Sequence, residues 1–171
     1  YISKLVDNAE NGIKRKEFKV WYQPKHNTYR DDTEGAEALI RWIHPDLGFI
    51  SPGDFIPTFE SNGFIMKIDL YVCETVCQDL RRWIDEGKKV VPVSLNISQI
   101  DFDYQNLSEI LEGIIDKYNL DHRLVHFEIT ESSNFRDREK KLQTVKELRE
   151  KGFIVELDDF GTGYSNLAAL G

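Results

Sequence analysis

Two adjacent carboxylates follow an apolar segment close to the end of the chain. Residues 153–157 are mainly apolar, Asp158 and Asp159 come directly after them, and a loop containing Gly161 and Gly163 follows. Neighbouring carboxylates repel each other, and a divalent cation bound between them removes that repulsion. The glycines tolerate positive φ, which allows the turn that both acids need to face one site. The pattern fits a metal site, and it also fits a surface turn with two solvated acids.

Other polar side chains stand near the carboxyl ends of predicted strands. Alternation of apolar and polar residues predicts strands at 17–25, 35–42, 90–97, 124–130 and 153–158. On the faces opposite the apolar residues these strands carry Arg41, Asn96, Glu128 and Asp158. Helices are predicted at 2–16, 51–63, 65–86, 107–118, 137–151 and 164–170. The alternation of strands and helices from the second strand onward favours parallel strands joined by right-handed crossovers.

Each predicted strand has one apolar and one partly polar face, and this pattern distinguishes a doubly wound sheet from a barrel. A doubly wound sheet needs two apolar faces, whereas a barrel whose lumen becomes polar toward its C-terminal mouth fits the pattern. A closed (β/α)8 barrel takes about 250 residues. This chain has 171 residues. We therefore predict an α/β fold, an incomplete TIM-like barrel of about five strands, in one domain over 1–171 with a leading helix at 1–16.

Composition limits the classes of partner. The hydrophobic content of 40% and the charged content of 30% are typical of a soluble globular protein. A formal net charge of −8 argues against duplex DNA or RNA and against anionic membranes as partners. Cys73 and Cys77 lie in a helical pattern without a nearby His, so we predict buried, reduced thiols rather than a metal site. The chain begins with Tyr1 rather than Met, and we expect it to be a piece of a longer protein.

Five motifs in the chain resemble, in the same order, those of EAL domains, the bacterial cyclic di-GMP phosphodiesterases. They are Tyr22-Gln23-Pro24, Glu37-Ala38-Leu39-Ile40-Arg41-Trp42 with His44-Pro45, Ser94-Leu95-Asn96-Ile97-Ser98, Glu128-Ile129-Thr130-Glu131-Ser132, and the segment from Asp158 to Ser165. The resemblance extends from about Glu17 to Gly171. It implies a barrel whose first strand is antiparallel to the rest.

The resemblance also implies an activity and a set of residues. The activity is hydrolysis of one phosphodiester of cyclic di-GMP to linear pGpG with two Mg²⁺ or Mn²⁺ ions, and Ca²⁺ is expected to inhibit it. Carried over by motif, the expected metal ligands are Glu37, Asn96, Glu128, Asp158 and Asp159. Glu37, Asp159 and Glu131 are expected to be catalytic, with Asp159 holding the attacking water and Glu131 bracing the following loop. The residues expected to contact the substrate are Gln23, Leu39, Arg41 and Asp69.

The cellular context is likewise implied by the resemblance. It is bacterial second-messenger signalling in the cytoplasm, by a homodimer fused to a sensor, a GGDEF domain or another regulatory domain. No membrane contact is expected from this segment. Two alternatives stay open, a non-catalytic cyclic di-GMP receptor and a module that binds only proteins.

The sequence departs from the family pattern at its end. After Gly171 the family pattern continues with a Lys-Ile-Asp strand motif, a further metal-binding Glu and a Gln, and none of these is in the chain. Because every motif position present is intact, we expect the parent protein to be an active phosphodiesterase, and because the later motifs are missing, we expect the isolated chain to be inactive or nearly so. Two open sheet edges would favour association.

Overall fold

A computed structural model describes residues 2–27, 29, 32–130 and 138–158. Within these ranges the helices are α1 (Ile2–Lys14), α2 (Pro52–Asn62), α3 (Ile65–Asp85), α4 (Leu107–Lys117) and α5 (Arg138–Glu150). The strands are β1 (Phe18–Asn27), β2 (Asp32–His44), β3 (Gly48–Ile50), β4 (Val93–Ile97), β5 (Val125–Thr130) and β6 (Ile154–Asp158). Short 3-10 helices cover Gln99–Asp103 and His122–Leu124. The helix predicted at 164–170 lies outside the described residues.

The strands form one mixed sheet in the order β1-β2-β4-β5-β6, with β3 attached to β2. β1 is antiparallel to β2, and β2, β4, β5 and β6 are mutually parallel. α3, α4 and α5 connect the parallel strands, as a barrel progression requires. The antiparallel first strand followed by parallel strands confirms the predicted order of an incomplete barrel.

Two strand boundaries and one short strand illustrate how the structure differs from the prediction. Pro24 was expected to close the first strand, yet β1 continues to Asn27, because a proline is tolerated in a strand at the end of the sheet path. β4 begins only at Val93, since Pro92 has no N–H for a ladder bond and uses its carbonyl to accept the Ala36 N–H at 2.9 Å. β3 was predicted as loop.

Capping residues fix the ends of the helices around the cavity described below. The Ser51 hydroxyl accepts the Gly53 N–H and starts α2, and Gly63, at φ 83°, ends it. α3 stops before Gly87, which has φ 77°. These boundaries confirm the ones predicted from Ser51-Pro52, Asn62-Gly63 and Gly87.

Two apolar cores hold the sheet. The larger lies between β4–β6 and α3–α5 and contains Cys73 and Cys77, which are buried and reduced as predicted. The smaller is aromatic and joins α1, α2 and β3 to the start of β1 and the end of β2. Its centre is Trp42, stacked on Phe18 at 4.6 Å between ring centroids. No helix among the described residues has both the length and the apolar character needed to cross a bilayer.

Candidate active site

The register of the sheet brings three of the five predicted metal ligands, Glu37, Asn96 and Glu128, to one face of adjacent strands. Glu37 on β2 pairs with Ser94 on β4, and Asn96, two residues further along β4, pairs with Glu128 on β5. Side chains two residues apart, and those in register on neighbouring parallel strands, share a face. The Asn96 Nδ2 donates to Glu37 Oε2 at 3.1 Å, so these two side chains meet directly.

The same face carries a lysine that the sequence analysis did not single out. Lys25 Nζ donates to Glu128 Oε1 at 2.7 Å and to Ser94 Oγ at 2.9 Å. Burial lowers the pKa of Lys25, but the bond to Glu128 and the charges of Glu128, Glu156 and Glu37 outweigh it and leave the pKa raised. The Lys25 ammonium therefore offsets part of the negative charge of these carboxylates, which would otherwise repel one another. In the sequence, the alternation of Lys25 with Gln23 on the polar side of β1 was the feature that could have placed Lys25 on this face.

A cavity of about 400 Å³ opens beside these strands. It is bounded by the ends of β2 and β4 and by α2 and α3, and it contains four of the predicted site residues, Leu39, Arg41, Asp69 and Asn96. Ile56, Ile65 and Ile68 give it an apolar wall. Gln23 pairs with Glu37 across the β1–β2 ladder and is not among the residues lining the cavity. An apolar wall with a few polar groups is typical of a small-molecule site.

Arg41 is held in the wall of this cavity. Its Nη1 donates to the Ile40 carbonyl at 2.9 Å, and its guanidinium carbon lies 5.3 Å from the centroid of the Trp21 ring. Stacking on an aromatic face restricts a guanidinium while leaving its edge available for hydrogen bonds. These two contacts therefore hold the Arg41 guanidinium at the cavity wall.

A second group of acids closes the cavity near the end of β4. Asp69 Oδ2 accepts the Ser98 N–H at 3.0 Å, and the Ser98 hydroxyl donates to Glu60 Oε2 at 2.7 Å. Asp101, on the 3-10 helix that follows, is 0% exposed. Burial, then the hydrogen bond and charge of Asp101, raise the pKa of Asp69 well above its usual range, against the lowering effect of the Ser98 N–H. Burial also raises the pKa of Asp101.

Comparison with known proteins identifies the family and the fold. The family model for the EAL domain matches residues 6–171. The chain belongs to the EAL domain family. It is 32% identical over 167 residues to MucR of Pseudomonas aeruginosa, a bifunctional diguanylate cyclase/cyclic di-GMP phosphodiesterase, covering 98% of the chain and 24% of MucR. It is 32% identical over 166 residues to the cyclic di-GMP phosphodiesterase PdeR of Escherichia coli, covering 97% of the chain and 25% of PdeR.

Solved structures extend that result to three dimensions. The MucR phosphodiesterase in complex with c-di-GMP superposes with a TM-score of 0.86 at 32% identity, over 98% of this chain and 68% of that one. The EAL enzyme Bd1971, bound to cAMP and cyclic di-GMP, gives 0.85 at 29% identity, over 99% and 47%. The chain spans about a quarter of the length of the two curated relatives. The expected family and fold are therefore confirmed.

Some of the residues predicted from the EAL motifs fall outside what the structure describes. Asp159 and Glu131 are among them. Asp158 is described by its backbone, which ends β6 and pairs with Thr130 of β5. That register places Asp158 two residues beyond Glu156, the partner of Glu128. Their roles, like those of the other site residues, stay predictions.

Another cluster of possible ligand atoms lies elsewhere in the EAL domain. Oxygen and nitrogen atoms of Glu112, Asp116 and His122 lie within 4.8 Å of one another. They come from α4 and the turn before β5, at the opposite end of the parallel strands from the predicted site. Ion pairs account for the cluster: His122 Nε2 lies 2.6 Å from Asp116 Oδ1, and Lys151 Nζ lies 2.9 Å from Glu112 Oε1. It is not the predicted metal site.

Proposed function

We propose that this EAL domain hydrolyses cyclic di-GMP to linear pGpG with two divalent ions, Mg²⁺ or Mn²⁺. The observation that carries the proposal is the convergence of Glu37, Asn96 and Glu128 on one sheet face beside a cavity bounded by Arg41. The named relatives MucR and PdeR are cyclic di-GMP phosphodiesterases, which supports the same substrate here.

The side chains on this face fit a hard divalent cation. Glu37 and Glu128 offer carboxylate oxygens, and Asn96, whose Nδ2 faces Glu37, keeps its amide oxygen for another partner. Mg²⁺ and Mn²⁺ prefer such oxygen ligands. We propose that Asp158 and Asp159 complete the set. When bound, the ions would polarise the phosphodiester and make a water molecule more acidic.

The protein's own residues would hold the substrate and the attacking water. Arg41, pre-oriented on Trp21, donates to a phosphate oxygen, a charge-assisted bond. Leu39 and Asp69 contact the nucleotide in the cavity, and Gln23 contacts it from β1. Asp159 positions the attacking water, and Glu131 supports the loop at 160–165. Lys25 keeps Glu128 in place and offsets negative charge around the anionic substrate.

The wider context is proposed on the same basis. The domain acts in the bacterial cytoplasm, as a homodimer joined to a GGDEF or sensor domain. Two proteins support the fusion. MucR is named as both a diguanylate cyclase and a cyclic di-GMP phosphodiesterase, and a similar fold occurs in a Vibrio cholerae LapD fragment that contains GGDEF and EAL domains. Gel filtration of the protein at its natural length tests the homodimer.

The deciding experiment is chromatography of cyclic di-GMP incubated with Mg²⁺ and the protein at its natural length. Glu37→Gln is compared with Glu34→Gln, an exposed glutamate near the start of the same strand. Linear product that Glu37→Gln abolishes and Glu34→Gln retains would establish the phosphodiesterase. Intact nucleotide that binds without turnover would instead make the domain a receptor. No binding at all would leave a protein-binding module.

A further inference from the structure

Asp101 is an acid in a place where an ionised carboxylate is poorly tolerated. Its side chain is fully buried, and no donor among the described residues reaches either of its oxygens. A buried carboxylate without a hydrogen-bond donor takes up a proton rather than remain charged. A protonated Asp101 then needs an acceptor for its O–H.

Asp69 is that acceptor. The two carboxyl groups lie within hydrogen-bonding reach, and Asp69 has a second anchor in the Ser98 N–H at 3.0 Å. The Ser98 N–H stabilises a negative charge on Asp69, and Asp69 also borders the open cavity. Asp101 has neither advantage, so of the two it is the better place for the proton.

Among the residues that the structure describes, the other charged and titratable groups around the pair do not replace that proton. Glu60 on α2 adds a further negative charge, and Cys73 on α3 approaches Asp69. Lys141 on α5 places its ammonium 5.9 Å from the ring of Phe102, the neighbour of Asp101, but makes no bond to the Asp101 oxygens. Arg41 stands in the wall of the cavity and bonds to its own strand. The local balance therefore favours one proton shared by two acids.

We propose that protonated Asp101 donates a hydrogen bond to Asp69 and is the positioning residue that keeps Asp69 as an oriented, ionised acceptor in the cavity wall. Burial raises the pKa of both groups, as expected for a pair that retains one proton, whereas the contact between them raises the pKa of Asp69 and lowers that of Asp101. We place the proton on Asp101 because the Ser98 N–H and the open cavity stabilise the charge on Asp69, and Asp101 is fully buried without a donor among the described residues. A ligand with adjacent N–H donors, such as the edge of guanine, matches such an acceptor. This consequence rests on the proposed function, whereas the shared proton does not.

The pair also predicts a loss of binding in alkali. As the pH rises through the raised pKa, the shared proton leaves and two buried carboxylates repel each other. The bond that orients Asp69 disappears at the same time. Nucleotide affinity should therefore fall at high pH.

Variants of Asp101 in the protein at its natural length test the positioning role. Asp101→Asn provides a permanent N–H donor, so KM for cyclic di-GMP should stay near wild type at neutral pH. The increase in KM that we expect for the wild type at high pH should be absent in this variant. Asp101→Ala removes the donor, and KM should rise about tenfold with kcat little changed, as expected for one lost charge-assisted hydrogen bond. Asp103→Asn, an exposed acid two residues away, is the control and should change neither. Equal effects of Asn and Ala at position 101 would overturn the proposal.

Carboxyl ¹³C NMR of the wild-type protein tests the shared proton without any substrate. The Asp101 carbon should show a protonated carboxyl at neutral pH and titrate well above an ordinary Asp. An ionised Asp101 at neutral pH, or a proton found on Asp69 instead, would refute it. If the domain neither binds nor hydrolyses cyclic di-GMP, this signal still separates a failed function from a failed proton pair.

Discussion

The EAL domain carries two groups of acids at the same end of its sheet, and they are neutralised in different ways. On the strand face, Glu128 has a lysine, Lys25, and Glu37 has the amide of Asn96. Beside the cavity, Asp69 and Asp101 face each other, and no cation in the described part of the chain is bonded to Asp101. The difference lies in the groups that each backbone element brings within hydrogen-bonding distance of the acids.

This contrast shows how similar side chains take opposite tasks. A carboxylate held by an ammonium and an amide stays charged and keeps oxygens for a metal ion. A carboxylate buried beside another acid keeps a proton and becomes a hydrogen-bond donor. Burial and the nearest cation, rather than residue type, decide which acids can bind a metal ion and which donate a hydrogen bond that orients a neighbour.

The largest effect should follow a change on the strand face. Asn96→Leu removes a proposed metal ligand and the donor to Glu37, so turnover of cyclic di-GMP should fall at least about 100-fold. Steady-state rates with saturating Mg²⁺ measure this. Asn106→Ala, at an exposed position whose side chain makes no cap bond, is the control. A loss below about tenfold would remove Asn96 from the ligand set.

A change of ion should separate binding from chemistry. Ca²⁺ prefers more ligands and longer distances than Mg²⁺, so it should hold the nucleotide in a geometry unsuited to hydrolysis. We expect turnover to fall by more than about tenfold while nucleotide binding persists. Calorimetry and chromatography on the same sample measure both quantities. Undiminished turnover in Ca²⁺ would contradict the proposed role of the ions.

Removing the cation of the strand face should cost stability. Lys25→Met leaves Glu128, whose side chain is 14% exposed, without its ion pair. The free energy of unfolding in urea without divalent ions should fall by about 1 kcal/mol, since Lys25 itself is partly exposed and screened. Added Mg²⁺ should restore part of the loss. Lys19→Met, an exposed lysine on the same side of β1, should have little effect, and an equal loss there would refute the explanation.

The smallest expected effect is on the pH dependence of stability, through His122 at the other end of the sheet. Burial lowers the pKa of His122, but bonds to Asp116 and to the Lys151 carbonyl outweigh it and leave the pKa raised. A raised folded-state pKa gives stability that is complete below the unfolded value near 6.5 and is lost as pH rises through the folded value. Because Asp116 is largely exposed, we expect a loss of about 0.5 kcal/mol across that range.

Urea unfolding between pH 6 and 9 would measure this loss. His122→Gln and Asp116→Asn should both flatten the profile, and high salt should weaken it. An unchanged profile in both variants would show that the His122 pair contributes nothing to stability.

Elements with a long, regular pattern could be predicted from the sequence. The apolar spacing of Ile65–Asp85 and the turn at Gly87 defined α3, and alternation in β4 and β5 placed Asn96 and Glu128 on a polar face. β3 could not be found, because three residues are too few to show a period and only pairing with the end of β2 makes them a strand.

The contacts that tune the site were also beyond sequence reasoning. Lys25 meets Glu128 across 103 residues, and the alternation with Gln23 places Lys25 on the polar side of β1 without identifying its partner. Asp101 reads as one polar residue of a loop until the 3-10 helix Gln99–Asp103 buries it against α3. Motifs identified the ligands, whereas tertiary packing supplied their counter-charges.

The antiparallel direction of β1 has a mechanical consequence. It places the start of β1, and therefore α1, at the end of the sheet where Arg41 lies, since Phe18 pairs with Trp42. Glu17, between α1 and β1, accepts the Trp42 Nε1–H at 3.0 Å, and its carbonyl accepts the Ile43 N–H at 2.9 Å. A twist or pull applied to α1 would thus arrive one residue from the guanidinium in the cavity wall.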